Sequence, residues 1–507
     1  MLISIDPART AGTINPAVHG QFIEFLGSCI TDGIWVGEDS EIPNIRGFRS
    51  AVIDAMKALR PPLVRWPGGC YADTYHWRDG IGPRSERPVG YNENFATFEV
   101  DTHEFGTDEF MDFCRLIDAE PWLNINLMSG STSEMREWME YCNREGETDA
   151  ARERATNGSV TPYKVKYWGI GNEVWAGGGF MTPGAYADEY RKFATAMPSF
   201  KTSVFDEDHL FRIASGPDGN KPLERVTWTR DFFDRLAEYR QPGIQGYDLH
   251  FYNWNLDNPE DTPVDFTEAD WNRVIRGSLE LEDVILEQGR LIREGLARMP
   301  EPESDMDTRL TEVQLVVGEW GNWHRTAFTE RPALFQQVTM RDAITTAITL
   351  DIFHRNCDLV SMACVAQTVN VLNALIITDG PSTVLTPNYD VFMMYRDHRG
   401  AEAADLRLGD GDPDVFSFAS VKDGQVVVNL VNASMLLPKT IELEFESAVV
   451  ATGREVLVAG HPTDHNTPGD PDRVRRATVA VDGTPVSRVS IELPAASVSV
   501  LRFSLTA

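Results

Sequence analysis

The chain has 507 residues, of which 42% are hydrophobic and 10% aromatic, enough for a large barrel and a second domain. A formal charge of -31 argues against nucleic acid and anionic membrane surfaces as partners, since both call for basic patches. The first residues, Met1 to Asp6, lack the basic and apolar regions of a signal peptide, and no apolar run approaches membrane-spanning length. Six cysteines without a Cys-x-x-Cys pair read as thiols of a cytoplasmic protein.

Taken in order, residues 2 to 5 read as a short strand, and the chain turns at Asn15-Pro16. Val18 to Phe25 alternates as a first barrel strand, interrupted by Glu24, a carboxylate that a core would refuse. A helix over Ser50 to Leu59 leads to a second strand, Leu63 to Gly69. Arg65 inside that strand must find an acid, because a lone buried guanidinium is costly. The loop from Cys70 to Pro88, rich in aromatics, Gly and Asp, has the composition of a binding loop. A helix over Thr107 to Ala119, a strand over Pro121 to Leu127 and a helix over Ser133 to Asn143 follow.

The fourth strand, Val165 to Ile170, breaks into glycines and delivers Asn172 and Glu173 side by side. Strand, polar pair, loop and helix is how a (β/α)₈ barrel presents chemistry at the C-terminal ends of its strands. After a helix over Gly184 to Met197 come strand five, Phe211 to Gly216, a helix over Trp228 to Tyr239, and strand six, Tyr247 to Tyr252. His250 and Tyr252 share one face of that strand at period two. Asn253 to Asp270 reads as a long loop over the site, Trp271 to Ala297 as a helix, and Glu301 to Asp307 as a solvated acidic loop. The seventh strand, Val313 to Val317, ends on Glu319 with Trp320 and Trp323 close behind. A helix over Leu334 to Asn356 precedes the eighth, Val360 to Gln367.

Eight strand-helix units predict an α/β fold, a (β/α)₈ TIM barrel. After about Asp390 short alternating strands separated by turn residues predict a C-terminal β-sandwich. Two glutamates ending two barrel strands beside aromatic residues suit a glycosidase, with one as acid/base and the other as nucleophile or base. No metal or organic cofactor is expected, and the histidines of the His461 to Asp472 stretch read as part of a polar loop.

The motifs resemble those of the α-L-arabinofuranosidases of glycoside hydrolase family 51, retaining enzymes of the large (β/α)₈ clan. The likeness runs through Gly20-Gln21-Phe22-Ile23-Glu24, Arg65-Trp66-Pro67-Gly68-Gly69 and Trp77-Arg78-Asp79-Gly80-Ile81-Gly82-Pro83. It continues in Trp168-Gly169-Ile170-Gly171-Asn172-Glu173, His250-Phe251-Tyr252, Glu319-Trp320-Gly321-Asn322-Trp323 and Ala366 to Leu372. The resemblance implies Glu173 as acid/base and Glu319 as nucleophile. It implies Glu24, Asn172 and Gln367 as partners of the furanose hydroxyls and ring oxygen, and Arg65 and Tyr252 as holders of the nucleophile. Trp323 would pack on the sugar, with His250 and Cys70 also lining the substrate site. Cys70 stands where many members carry Asn, and Gly318 replaces a common Asp, which leaves fine specificity open.

By the same likeness the N-terminal strand joins the sandwich. The expected domains are therefore a catalytic barrel over residues 17–390 and a sandwich of residues 1–16 with 391–507. The expected reaction is exo-acting, double-displacement release of terminal α-L-arabinofuranosyl residues from oligo- or polysaccharides, by a homo-oligomer. The alternatives from the residues are a β-glycosidase or endo-glucanase/xylanase of the same clan, or a non-catalytic glycan-binding protein.

Overall fold

The computed structural model describes residues 1–203, 206, 209–301 and 310–506. The acidic run expected as a loop over Glu301 to Asp307 lies, beyond Glu301, outside the described residues. Eight parallel strands close into a barrel in chain order: Gly20–Phe22, Leu63–Trp66, Glu120–Ile125, Tyr167–Ile170, Phe211–Asp218, Gly246–Asn255, Gln314–His324 and Val360–Val365. All four residues of Leu63–Trp66 and all six of Val360–Val365 are buried, which is why, Arg65 and Ser361 apart, they read as apolar runs rather than as alternation. The first strand is shorter than the sequence suggests. Pro16–His19 forms a 3₁₀ turn capped by the Asn15 side chain, and the strand ends at Phe22, before Glu24.

By its internal packing the chain divides into two compact units. One comprises Gln21–Phe251 and Leu286–Glu319. Three of its helices open on side-chain caps: Ser131, Thr148 and Thr182 each accept a backbone N–H in the first turn of the helix they open. The helix Asp149–Thr156 is new relative to the sequence reading, since its polar composition gives no apolar stripe. Pro222–Ala237 begins six residues before the expected Trp228, with Pro222 in its first turn.

The other unit comprises Met1–Gly20, Tyr252–Ile285 and Trp320–Ala507. Here Leu2–Thr13 pairs antiparallel with Glu402–Leu408 and parallel with Lys439–Val458. From Glu402–Leu408 the sheet continues through Val415–Lys422, Gln425–Asn432 and Ser497–Leu505 back to Lys439–Val458, a closed circuit of pairings. Ile3, Ile5, Val428, Leu430, Leu443, Phe445 and Phe503 fill its core. The first strand is twelve residues rather than four, because its polar second half is held by backbone pairing and not by burial.

The stretch expected as a loop over Asn253 to Asp270 is pinned from within. Asp261, with no exposed surface, pairs with the equally buried Arg341 at 2.8 Å, and Asn255 Nδ2 donates to Asp261 Oδ2 at 2.6 Å. Arg341 also stacks over Phe266 at 4.0 Å. Its helix, Met340–Arg355, begins on a reciprocal cap between Thr339 and Asp342. Among the described residues no helix is long and apolar enough to cross a membrane.

Candidate active site

Arg65 is fully buried in its strand, and the acid it requires is Glu319. Its Nη1 donates to Glu319 Oε1 at 2.7 Å and to the Gly318 carbonyl at 3.1 Å. Its Nη2 donates to Asn172 Oδ1 at 2.6 Å. The guanidinium lies between the rings of Phe22 and Trp122, at 4.5 and 5.1 Å from their centroids. Three strands are thereby tied to one rigid fork, which suits a planar, permanently charged group.

Glu173 follows Asn172 at the end of Tyr167–Ile170, with φ at +38°, in the left-handed region that side chains avoid. Its Oε1 meets His250 Nδ1 at 2.9 Å, and its Oε2 faces the Cys70 thiol at 3.7 Å. His250 Nδ1 is also 3.5 Å from Glu319 Oε1, and its Nε2 lies 3.1 Å from Asp248 Oδ2. Burial alone would lower the His250 pKa, but the surrounding carboxylates of Glu319, Asp248 and Glu173 outweigh it and hold the imidazole protonated at neutral pH. Burial raises the Glu173 carboxyl above the usual range; the His250 hydrogen bond opposes this and the charge on Glu319 adds to it.

Glu24 is buried against Gly68 and Gly69, where a Cβ would come within 2.7 and 2.9 Å of its Oε1. That oxygen accepts the Tyr71 N–H and the Asn94 amide, both at 3.0 Å. Burial, then the charge on Glu319, pushes the Glu24 carboxyl up to about 7. Cys70 opens the 3₁₀ turn Cys70–Asp73, and burial, with Glu173, Glu24 and Glu319 behind it, keeps the thiol protonated.

Seven of the residues singled out from sequence thus meet in one unit: Glu24, Arg65, Cys70, Asn172, Glu173, His250 and Glu319. Tyr252, Trp323 and Gln367 belong to the other unit. There Tyr252 and Trp323 pack edge to face at 4.9 Å, Trp323 stacks on Phe328 at 5.3 Å, and Gln367 is buried just past Val360–Val365. Asp248 was missed by the sequence reading, although it stands at period two with His250 and Tyr252 on one strand. Asp73 and Asn94, also missed, carry no motif and reach the site only through the turns that bear them.

One atom each of Glu173, His250 and Glu319 lie within 4.8 Å of one another, a spacing that a metal ion could bridge. In the same cluster Arg65 pairs with Glu319 at 2.7 Å.

Residues 55–268 match the model of the α-L-arabinofuranosidase 1 domain, and residues 318–497 that of the α-L-arabinofuranosidase C-terminal domain. A relative from Bacteroides ovatus, named an intracellular exo-α-L-arabinofuranosidase, is 36% identical over 96% of this chain and 92% of its own. The chain belongs to the α-L-arabinofuranosidases of glycoside hydrolase family 51. A family 51 arabinofuranosidase structure from Xanthomonas axonopodis pv. citri superposes with a TM-score of 0.88 and 31% identity over 99% of each chain. The Thermotoga maritima α-L-arabinofuranosidase, solved as an arabinose complex, gives 0.83 at 26% identity, also over 99% of each chain. The fold is therefore the barrel with a C-terminal sheet domain, and the protein is a glycoside hydrolase.

Proposed function

We propose that this glycosidase is a retaining, exo-acting α-L-arabinofuranosidase that releases terminal arabinofuranosyl residues from oligo- or polysaccharides by double displacement. The observation that supports the double-displacement part of the reading is the closeness of Glu173 and Glu319, which bring one oxygen each within 4.8 Å. Retaining pairs stand roughly 5–5.5 Å apart, whereas inverting pairs leave roughly 6.5–9.5 Å for a water.

In the first step Glu319, aimed by Arg65, attacks the anomeric carbon while Glu173 protonates the leaving oxygen. The raised pKa of Glu173 suits it to start protonated. Forming the ester removes the charge on Glu319, and with it one of the influences that keep Glu173 protonated. Glu173 can then take a proton from the attacking water, its carboxylate stabilised by the Nδ1–H of His250. Glu24, with its pKa near neutrality, can donate to or accept from a furanose hydroxyl. Asn172, Cys70, Trp323 and Gln367 keep the substrate-contact roles that the family likeness gives them, and Tyr252 the role of holding the nucleophile. Residues 17–390 serve as the catalytic domain, with residues 1–16 and 391–507 as its sheet partner. The name of the Bacteroides relative favours a cytoplasmic location, and the family likeness favours a homo-oligomer.

A panel of aryl glycosides tests the substrate class. The α-L-arabinofuranoside should be hydrolysed at least about 100-fold faster, in kcat/KM, than the β-D-xyloside, β-D-glucoside or β-D-galactofuranoside. Preference for the glucoside or xyloside would favour the β-glycosidase or endo-glucanase alternative instead.

A further inference from the structure

The loop that leaves Glu173 turns straight back on it. The Glu173 carbonyl accepts the N–H of Ala176 at 2.7 Å and that of Gly178 at 3.2 Å, and the Val174 carbonyl accepts that of Met181 at 2.7 Å. Gly178 lies so close to the strand end that a Cβ there would fall 2.0 Å from the Asn172 carbonyl oxygen. A Cβ on Gly177 would stand 3.7 Å from the Cys70 sulfur, which is itself 3.7 Å from Glu173 Oε2. The segment from Val174 to Met181 is thereby pressed against the rim of the site, beside Glu173 and Cys70.

Phe180 sits where this loop closes. Its N–H donates to the Ala176 carbonyl at 2.9 Å, its φ is +49°, and it is 83% exposed. For a bulky side chain the left-handed region is strained, whereas glycine would hold the same turn freely. Burial of the ring does not offset the strain, because the ring is in solvent. A strained residue that holds an exposed aromatic ring one loop away from the reacting groups points to a ligand contact.

The chemistry of Glu173 says which part of the substrate that ligand is. Glu173 protonates the oxygen that leaves, so the sugar beyond that oxygen lies on the side of Glu173 and of the loop folded back on it. A sugar ring offers a C–H face that packs on a flat aromatic surface, with its hydroxyls left in water. We propose that Phe180 is the platform of an aglycone subsite: its ring stacks on the sugar to which the released arabinofuranosyl unit is linked. The proposal rests on the reading of Glu173 as the acid/base and adds to it a residue that selects among leaving groups.

Two kinds of substrate separate the subsites. Methyl α-L-arabinofuranoside has no sugar beyond the scissile bond, whereas α-(1→5)-L-arabinobiose and an arabinofuranosyl-xylobiose each have one. Phe180→Ala should lower kcat/KM about tenfold on whichever of those two the wild type cleaves faster, and less than about twofold on the methyl glycoside. Phe180→Trp, which keeps a flat ring, should stay within about threefold of wild type on both. Transfer of the arabinofuranosyl unit to added xylobiose uses the same subsite in reverse, so its ratio to hydrolysis should also fall about tenfold in Phe180→Ala. Phe180→Gly should repeat these losses yet melt no lower than Phe180→Ala, because glycine relieves the backbone. An equal loss on the methyl glycoside, unimpaired cleavage of the sugar-linked substrates, or unchanged transfer would overturn the proposal. So would a change of oligomeric state in Phe180→Ala by size-exclusion chromatography, which would make the ring a contact with a second copy of the chain. Wild-type hydrolysis of the methyl glycoside by Glu173→Ala would instead overturn the acid/base assignment. A disabled Glu173→Ala beside an unimpaired Phe180→Ala would sink the platform alone.

Discussion

Asp248 fills the space that a side chain at position 318 would occupy. Its Oδ1 accepts the Gly318 N–H at 2.7 Å, and a Cβ on Gly318 would fall 2.5 Å from both of its carboxylate oxygens. Its Oδ2 meets His250 Nε2 at 3.1 Å. The aspartate expected just before the nucleophile is thus absent from its own strand, while a carboxylate from the adjacent strand sits at that place and orients the histidine. Gly318→Asp should cost about 100-fold in kcat/KM, since two carboxylates would compete for one space beside Glu319. Gly318→Asp with Asp248→Gly should regain at least about tenfold of that loss. A double variant no better than the single one would refute the exchange.

Cys70 lies 3.7 Å from Glu173 with its thiol kept protonated by burial and by nearby carboxylates. Alkylation by a small thiol reagent at neutral pH should therefore be slow, and arabinose should retard it further. Cys70→Ala should abolish the accompanying loss of activity. An alanine variant inactivated as fast as the wild type would place the reactive thiol elsewhere.

The barrel was legible because most of its strands are buried runs between clear turn residues, and every expected strand is present within a few residues. Two classes of element were not. Pro387–Tyr395 is buried on all sides, so it has no amphipathic period, and Asp149–Thr156 is too polar to show one. In the site, Glu24 and Arg65 stood out as charges inside apolar strands, and Glu173 as a charge at the end of one. Asp248 was hidden by its pairing with a residue that is informative only as a missing side chain, Gly318. Asp73 was hidden because a carboxylate in an aromatic loop looks solvated until the turn that buries it is seen.

The buried pair of Asp261 and Arg341 is a stability determinant of the unit that holds it. Arg341→Met would leave Asp261 with only Asn255 and the longer Arg273 contact at 3.8 Å, a loss of up to about 3–5 kcal/mol that thermal unfolding should register. Asp261→Asn with Arg341→Met should be less damaging than the single change. A single variant melting with the wild type would contradict this assignment.

His19, His354 and His398 form a buried cluster, with His19 and His354 joined through their Nε2 atoms at 2.9 Å and His398 bonded to Ser420 and Asn429. Burial pushes His354 and His398 down to about 3, helped by the positive charges of Arg355 and Arg399 at the former and by His354 at the latter. A folded-state pKa below the unfolded value of about 6.5 means that the unfolded chain binds these protons first. The histidines' contribution should therefore be full above about pH 6.5 and fall as pH drops toward 3, by about 1.4 kcal/mol per pH unit for each, offset in part below about pH 6 by Asp351, whose buried carboxyl is pushed up to about 6. His398→Gln, which keeps polar groups for Ser420 and Asn429, should make that fall shallower. An unchanged slope in chemical denaturation between pH 6.5 and 4 would remove His398 from the account.

The most direct measurement concerns Glu173→Ala acting on an arabinofuranoside whose leaving group needs no proton. Glycosylation of Glu319 should proceed, the glycosyl-enzyme should accumulate, and turnover should stall. Added azide should then restore turnover by attacking from the face that water would have used, giving α-L-arabinofuranosyl azide with retained configuration. A β-configured azide, or a Glu173→Ala variant that hydrolyses the substrate at the wild-type rate without azide, would contradict Glu173 as the acid/base of a retaining pair.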